Sequence, residues 1–177
     1  MALKGFPGSG KSAVGRAISA RLRWPLIDKD DILDMLIEQY PDAGRLAYDV
    51  MWHVGRRQLL QGFSVVCDSP LSHPAGYRTA RQVATETHAI LAVVECRCSD
   101  EDVWRTRIQA RAVVSLPSHR ATTWDGLQEI RAQTADQAAY VITDPILVVD
   151  TIRDLDALTQ DIANWLAALQ GTYKMTG

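Results

Sequence analysis

The chain has 177 residues, enough for one domain with a substantial hydrophobic core, and 47% of them are hydrophobic and 23% charged. A net charge of −2 at pH 7 excludes the broad positive surface typical of proteins that bind nucleic acids or anionic membranes. No apolar stretch has the length of a membrane-spanning helix, and the sequence does not predict a signal peptide.

The three cysteines are not spaced as a metal-binding framework. Cys67 and Cys96 lie in apolar segments predicted to be strands, where a thiol packs as a small hydrophobic group. Cys96 and Cys98 would point to opposite faces of one strand, which is poor geometry for sharing a metal. This use of cysteine predicts a protein of the reducing cytoplasm.

The first predicted element is a short strand that leads into a phosphate-binding loop. Residues 5–12, GFPGSGKS, match the pattern G-x-x-x-x-G-K-[ST] in full. In such a loop the backbone N–H groups and the N-terminus of the next helix bind phosphate oxygens, the lysine contacts the β- and γ-phosphates, and the serine hydroxyl binds Mg²⁺. The predicted nucleotide-binding residues are Gly5, Pro7, Gly8, Ser9, Gly10, Lys11, Ser12 and Ala13.

Only four residues precede this loop. The strand that feeds such a loop is central and buried, so the sequence predicts either an unusually short strand or a native chain that begins upstream of Met1. Neither alternative removes a phosphate ligand.

Beyond the loop, short apolar segments alternate with helical patterns. The predicted strands cover 2–3, 25–28, 64–68, 89–96 and 146–150, and the predicted helices cover 11–22, 45–61, 100–111 and 155–169. The pattern in the second helix predicts that Leu46, Val50, Val54 and Leu60 are buried. Strands that are apolar throughout and alternate with helices predict one α/β domain over 1–177, with a parallel sheet covered on both faces.

Aspartates follow the second predicted strand in PLIDKDDILDML, where a helix begins. Carboxylates at the C-terminal edge of a parallel sheet, beside a phosphate loop, are placed to act as a base towards an acceptor hydroxyl. Asp28 and Asp30 face the same way if the chain is still extended there. The alternative is that these aspartates only cap the helix.

The third predicted strand ends in VVCDSP. Asp68 stands where a carboxylate helps to hold Mg²⁺ or contacts the acceptor in phosphoryl-transfer proteins. The alternative is an aspartate that starts a turn before Pro70, and we interpret Ser69 as a turn residue.

Arginines mark the predicted helix 100–111. Arg107 and Arg111 share one face of it, whereas Arg105 points elsewhere. Arginines on a closing element stabilise the negative charge that develops on a transferred phosphoryl group. We predict a lid around 105–123, of which 113–123 is the longest irregular segment; a plain surface loop is the alternative.

Other classes of nucleotide-binding protein are excluded. A GTPase needs an Asn-Lys-x-Asp element, and the only asparagine is Asn164 in the last helix. The chain has no Asp-x-x-Gly switch and no LSGGQ signature, and it is too short for a hexameric motor. The layout of a short kinase remains.

The order of phosphate loop, strand-end Asp-x-Asp, strand-end aspartate and arginine-bearing helix resembles the P-loop kinases grouped as AAA_33-type or zeta-toxin-like. This group includes chloramphenicol phosphotransferase and the kinase domain of phage polynucleotide kinase. The segments PLIDKDDI, VVCDSPLS, VVECRCSDEDVWRTRI, TTW and LVVDT are also similar to uncharacterised plant and bacterial P-loop ATPase-like proteins. The resemblance implies a five-stranded sheet of order 2-3-1-4-5.

The resemblance also implies roles for single residues. Lys11 and Ser12 would bind phosphate and Mg²⁺, and Asp30, or its neighbour Asp28, would activate the acceptor hydroxyl. Asp68 matches the carboxylate after the third strand, and Arg107 and Arg111 fall in the lid. The segment around Asp150 and Thr151 lies where the family packs the adenine. The chain departs from the pattern at Leu33, where many members carry an arginine that contacts acceptor or phosphate.

We therefore expect a kinase that uses ATP and Mg²⁺ to phosphorylate a hydroxyl of a small-molecule acceptor. The alternative is a nucleotide-binding switch or slow ATPase that acts through a protein partner.

Overall fold

The computed structural model describes residues 1–113, 123–138 and 140–174. Five parallel strands form one sheet of order β2-β3-β1-β4-β5, which confirms the expected fold class. The strands are β1 (Ala2–Lys4), β2 (Leu26–Asp28), β3 (Val66–Asp68), β4 (Val93–Arg97) and β5 (Ile146–Asp150).

Seven helices are described around this sheet. They are α1 (Lys11–Leu22), α2 (Lys29–Leu36), α3 (Ala43–Leu60), α4 (Pro74–Glu86), α5 (Glu101–Val113), α6 (Trp124–Ala138) and α7 (Leu155–Lys174). Within these ranges, none of the helices is long and apolar enough to cross a membrane.

The sheet carries a separate hydrophobic cluster on each face. On one face, α3 and α4 contribute Met51, Trp52 and Tyr77, which pack with Ile27 and other strand residues. On the other face, α1 and α7 pack against Leu3, Val66, Val94 and neighbouring apolar residues. The layers therefore enclose the sheet and leave the carboxyl ends of its strands as the place where loops can gather.

The first strand is short but fully integrated in the sheet. β1 has three residues, pairs in parallel with both β3 and β4, and buries Leu3 completely. The amino group of Met1 donates a hydrogen bond to the carbonyl oxygen of Val65 at 2.8 Å. Central pairing on both sides fixes the start of the phosphate loop despite the small number of strand residues.

The prediction for the buried face of α3 is wrong. Val50, Val54 and Leu60 are 41%, 38% and 54% exposed, and the side turned to the sheet carries Ala43, Ala47, Met51, Trp52 and Gly55. A Cβ on Gly55 would lie 3.4 Å from Cys67 Sγ and 3.6 Å from Ile27 Cδ1, so small residues bring the helix close to the strands. Apolar periodicity selected the wrong face because close packing here uses small side chains.

The predicted end of α3 is correct, since Gly62 adopts a positive φ of 85° just after the helix.

Candidate active site

A cavity of about 800 Å³ lies beside the phosphate loop at the carboxyl ends of the strands. It extends from the start of α2 and the end of β3, past α5, to the segment that follows β5. Most of the predicted site residues line it: Pro7, Gly8, Gly10, Lys11, Ser12, Ala13, Asp28, Asp30, Asp68, Arg107, Arg111 and Thr151. Gly5 and Ser9 belong to the same loop but line a second cavity behind it.

Close contacts as well as backbone conformation require glycine at Gly8 and at Gly10 of the loop. Gly8 has a φ of 74°, and a Cβ there would lie 2.7 Å from Ile108 Cδ1. Gly10 has a φ of 88°, and a Cβ there would lie 2.9 Å from Thr151 Cβ. A side chain at either position would be strained by the positive φ and would have to push aside the side chain of Ile108 or Thr151, so the loop conformation depends on glycine.

Side chains from three elements hold the carbonyl groups of the loop. Trp104 Nε1 on α5 donates to the carbonyl oxygen of Pro7 at 2.8 Å, and Lys11 Nζ donates to that of Phe6 at 2.9 Å. Thr151 Oγ1 lies 2.9 Å from the carbonyl oxygen of Ser9. With its carbonyls engaged and the first N–H groups of α1 lacking an intrahelical acceptor, the loop is suited to bind an anion.

Sequence reasoning missed Trp104. It packs with Cys98, Ile108 and Leu127 in a small hydrophobic cluster beneath the loop, and Phe6 packs against the same cluster. Motif matching could not identify this residue, because it acts through tertiary contact with the loop from a distant helix.

Arg107 is engaged with the segment after β5. Its Nη1 donates to Thr151 Oγ1 and its Nη2 to the carbonyl oxygen of Thr151, both at 2.8 Å. Residues 105–113 of the predicted lid belong to helix α5, which packs on the loop through Trp104 and Ile108. Residues 114–122 of that lid lie outside the described residues.

Asp28 and Asp68 end neighbouring strands and are paired in register. Burial, assisted by the negative charge of Asp68, raises the pKa of Asp28 to about 6. Burial also raises the pKa of Asp68, against the opposing influence of the Lys11 ammonium and the Ser12 hydroxyl. Two partly desolvated carboxylates side by side favour a cation near them.

Asp68 is 3% exposed, and its Oδ2 has no hydrogen-bond partner among the described residues. A buried carboxylate oxygen without a partner is costly unless a ligand satisfies it, and the hydroxyl of Ser12 adds a second oxygen nearby. The described ranges contain no group of three or more His, Cys, Asp or Glu side chains able to hold a metal. The unpaired oxygen of Asp68 and the hydroxyl of Ser12 fit Mg²⁺, which binds through few protein oxygens and otherwise through phosphate and water.

The chain is not extended from Asp28, the last residue of β2, to Asp30, so the two side chains do not face the same way as an extended strand would place them. Helix α2 begins at Lys29, and Asp28 Oδ1 caps it by accepting the backbone N–H of Asp30 at 2.8 Å. Asp30 instead contacts Lys29 Nζ at 2.6 Å and lies 3.9 Å from Arg111 Nη2. Both carboxylates still line the cavity, with Asp28 on the Asp68 side and Asp30 on the Arg111 side.

A family model for AAA_33, described as an AAA domain, matches residues 1–124. The chain belongs to the AAA_33 family. Uncharacterised proteins of Mycobacterium tuberculosis and Mycobacterium bovis are 32% identical to it over 124 residues, which cover 61% of this chain and 24% of theirs. The chain thus spans about a quarter of the length of the curated relatives it matches.

Solved structures similar to this AAA_33 chain share its fold. A protein of Chloroflexus aurantiacus provisionally named as a kinase has a TM-score of 0.75 at 20% identity, over 92% of this chain and 95% of that one. A gluconokinase of Sinorhizobium meliloti has a TM-score of 0.65 at 20% identity, over 99% of this chain and 96% of that one. A shikimate kinase of Bacteroides thetaiotaomicron has a TM-score of 0.60 at 22% identity, over 94% of this chain and 97% of that one. At these identities the likeness shows the P-loop kinase fold.

Thr151→Val in the AAA_33 chain should weaken MgATP binding about 5- to 30-fold, as measured by calorimetry. The hydroxyl is within hydrogen-bond distance of the carbonyl oxygens of Ser9 and Arg97 and accepts from Arg107, so its loss leaves buried polar groups unpaired. Thr159→Val is the matched control, because Thr159 is also buried and donates to the carbonyl oxygen of Leu155 in α7 but does not itself line the cavity. Equal effects of the two variants on MgATP binding would contradict a role for Thr151 in holding the loop.

Asp28→Asn should make the ligand-free AAA_33 protein more stable at pH 8. The folded-state pKa of about 6 lies above the ordinary value of 3.8, so ionisation of Asp28 destabilises the fold as the pH rises through 6. Asparagine keeps the helix cap without the charge. We expect the free energy of unfolding to rise by about 1–2 kcal/mol and Tm by roughly 3–6 °C. The increase in the free energy of unfolding should be roughly half as large at pH 5 as at pH 8. A Tm difference independent of pH, or one equalled by Asp31→Asn, would contradict this origin.

Proposed function

We propose that this AAA_33 protein is a kinase that transfers the γ-phosphoryl group of ATP to a hydroxyl group of a small molecule. The observation that carries the proposal is that one cavity contains Lys11 and Ser12 of the phosphate loop together with the strand-end carboxylates Asp28 and Asp68 and with Asp30 at the start of α2. Its size suits a nucleotide and a small acceptor together. The fold shared with small-molecule kinases is consistent with this reaction.

The phosphate loop and α5 would bind and orient the nucleotide. The loop amides and the Lys11 ammonium bind the β- and γ-phosphates, and Arg107 together with Thr151 forms the side of the cavity where the adenine would pack. Burial lowers the pKa of Lys11, whereas the charge of Asp68 raises it. Phosphate oxygens nearby would further favour the ammonium form, so the lysine would be charged in the complex.

Ser12 and Asp68 would hold Mg²⁺, with Asp28 close to Asp68. Bound Mg²⁺ would neutralise negative charge on the β- and γ-phosphates. The raised pKa values of Asp28 and Asp68 would fall when a cation lies near them, so metal binding should release protons below about pH 6.

Asp30 would orient the acceptor hydroxyl and accept its proton, with Asp28 as the neighbouring alternative. Arg111 lies 3.9 Å from the Asp30 carboxylate and lines the same cavity, so it stands where acceptor and γ-phosphate would meet. A guanidinium there would stabilise charge on the transferred oxygens. Excluding water from this region would favour transfer to the acceptor over hydrolysis.

The direct test measures ATP consumption with and without hydroxylated metabolites, nucleosides and antibiotics, and identifies phosphorylated products by mass spectrometry. A kinase should be stimulated by its acceptor and release equal amounts of ADP and phosphorylated product. Hydrolysis that no acceptor stimulates would contradict the proposal and favour a nucleotide-binding switch or slow ATPase that acts through a protein.

A further inference from the structure

The segment 69–73, which links β3 to α4, carries a buried hydroxyl group without a partner. Ser69 is 1% exposed, and its Oγ makes no hydrogen bond with any described residue. Ser69 also lines the cavity beside the phosphate loop. A buried hydroxyl without a partner costs free energy that a bound polar group would recover, so this hydroxyl indicates a ligand group next to it.

The residues on both sides of Ser69 contact the phosphate loop. The preceding residue, Asp68, is close enough to the Lys11 ammonium for their charges to interact. The carbonyl oxygen of the following residue, Pro70, accepts a hydrogen bond from the backbone N–H of Gly5 at 3.1 Å. The lysine of such a loop reaches the β- and γ-phosphates. Ser69 therefore lies on the phosphate side of the cavity.

The backbone that carries Ser69 is held in one conformation. Leu71 is 1% exposed and has a φ of 41°, a left-handed conformation that a leucine adopts only where the surrounding structure imposes it. Its carbonyl oxygen accepts a hydrogen bond from the hydroxyl of Tyr140 at 2.7 Å. Pro70 has a fixed φ and no backbone N–H, so the backbone offers no donor at that position. The hydroxyl of Ser69 is thus a donor placed in advance of ligand binding.

We propose that Ser69 Oγ donates a hydrogen bond to an oxygen of the γ-phosphate, and that this bond makes Ser69 a residue by which the protein distinguishes ATP from ADP. The inference rests on the nucleotide-binding part of the proposed function and does not depend on the acceptor. A hydrogen bond to an ionised phosphate oxygen is about twice as strong as one between neutral groups. Lys11 contacts the β-phosphate as well and so interacts with both nucleotides, whereas Ser69 gains its partner only with the triphosphate.

The experiment compares two Mg²⁺ complexes by calorimetric titration. AMPPNP is a non-hydrolysable ATP analogue that carries a γ-phosphate, and ADP lacks that group. Ser69→Ala should weaken binding of MgAMPPNP about 5- to 20-fold and change the Kd for MgADP less than about twofold. The Tm of the ligand-free variant should not fall, because the hydroxyl bonds to no described residue. A lower Tm would show that the hydroxyl stabilises the ligand-free fold and would overturn the inference.

A conservative variant and a control separate hydrogen bonding from other effects. Ser69→Cys keeps the shape of the side chain with a weaker donor, so its Kd for MgAMPPNP should lie between those of the unmodified protein and Ser69→Ala. A greater loss in Ser69→Cys than in Ser69→Ala would assign the effect to size and overturn the inference. Ser19→Ala is the matched control, because Ser19 Oγ donates to the carbonyl oxygen of Trp24 and does not line the cavity. Both of its affinities should stay within about twofold.

The outcomes distinguish this inference from the kinase function. Equal weakening of both nucleotides in Ser69→Ala, or unchanged affinity for both, overturns the inference and leaves the kinase function standing. Selective loss of MgAMPPNP affinity in a protein that phosphorylates no acceptor supports the inference and overturns the kinase function alone. An unmodified protein that binds neither complex overturns both.

Discussion

Lys11→Met is expected to lower kcat for phosphoryl transfer by at least about 10²- to 10³-fold and to weaken MgATP binding more than tenfold. The ammonium group lies inside the cavity, close enough to Asp68 for their charges to interact, and its one hydrogen bond with a described residue is to the carbonyl oxygen of Phe6. A methionine fills similar volume and keeps the packing of the helix start, so loss of activity would report the missing charge. Single-turnover rates and calorimetric titration with MgATP measure the two effects.

Lys4→Met is the matched control for Lys11→Met. Lys4 is also half-buried and contacts Glu95 at 3.1 Å, but it does not line the cavity. Glu95 keeps a second partner in Arg97 at 2.8 Å, so the control should fold and should retain MgATP affinity within about twofold. Equal kcat values for Lys11→Met and the unmodified protein would remove the lysine from phosphoryl transfer and, with it, the interpretation of the loop.

The phosphate loop and the strand ends were predictable because each depends on residues that are adjacent in the sequence. The motif placed Lys11 and Ser12, and the apolar segments before Asp28 and Asp68 predicted that both carboxylates would reach the same edge of the sheet. The structure confirms the strands and places the two aspartates in register. Local sequence was sufficient here because parallel strands all end on one side.

Features that depend on contact between distant elements were not predictable in the same way. Trp104 donates a hydrogen bond to Pro7 of the loop, which is 97 positions away in the sequence, and no spacing rule connects these two residues. Helices α4 and α6 were not predicted, since the buried face of α4 includes Ala80, Ala84 and Val83, a weak apolar signal. Arg107 lies in the predicted helix and lines the predicted cavity, but its pairing with Thr151 depends on how α5 meets the segment after β5.

Asp30→Asn is expected to reduce kcat about 10²- to 10⁴-fold while changing the Kd for MgATP less than about threefold. Asparagine keeps the shape of the side chain but cannot accept the proton of the acceptor hydroxyl. The acceptor itself should still bind, because the other residues that line the cavity are unchanged. Rapid-quench measurement of the transfer step, at saturating MgATP and acceptor, isolates the chemical step from binding.

Asp28→Asn distinguishes the two aspartates of the motif. Asp28 adjoins Asp68 and caps α2, so its loss should act mainly on the metal: the Mg²⁺ concentration for half-maximal rate should rise, and saturating Mg²⁺ should restore much of kcat. Excess Mg²⁺ should not rescue Asp30→Asn, because its defect lies in proton transfer. If Asp30→Asn retains full kcat and Asp28→Asn loses it beyond rescue, Asp28 is the base. Asp30, held by Lys29 and Arg111, would then be a positioning residue for those two cations.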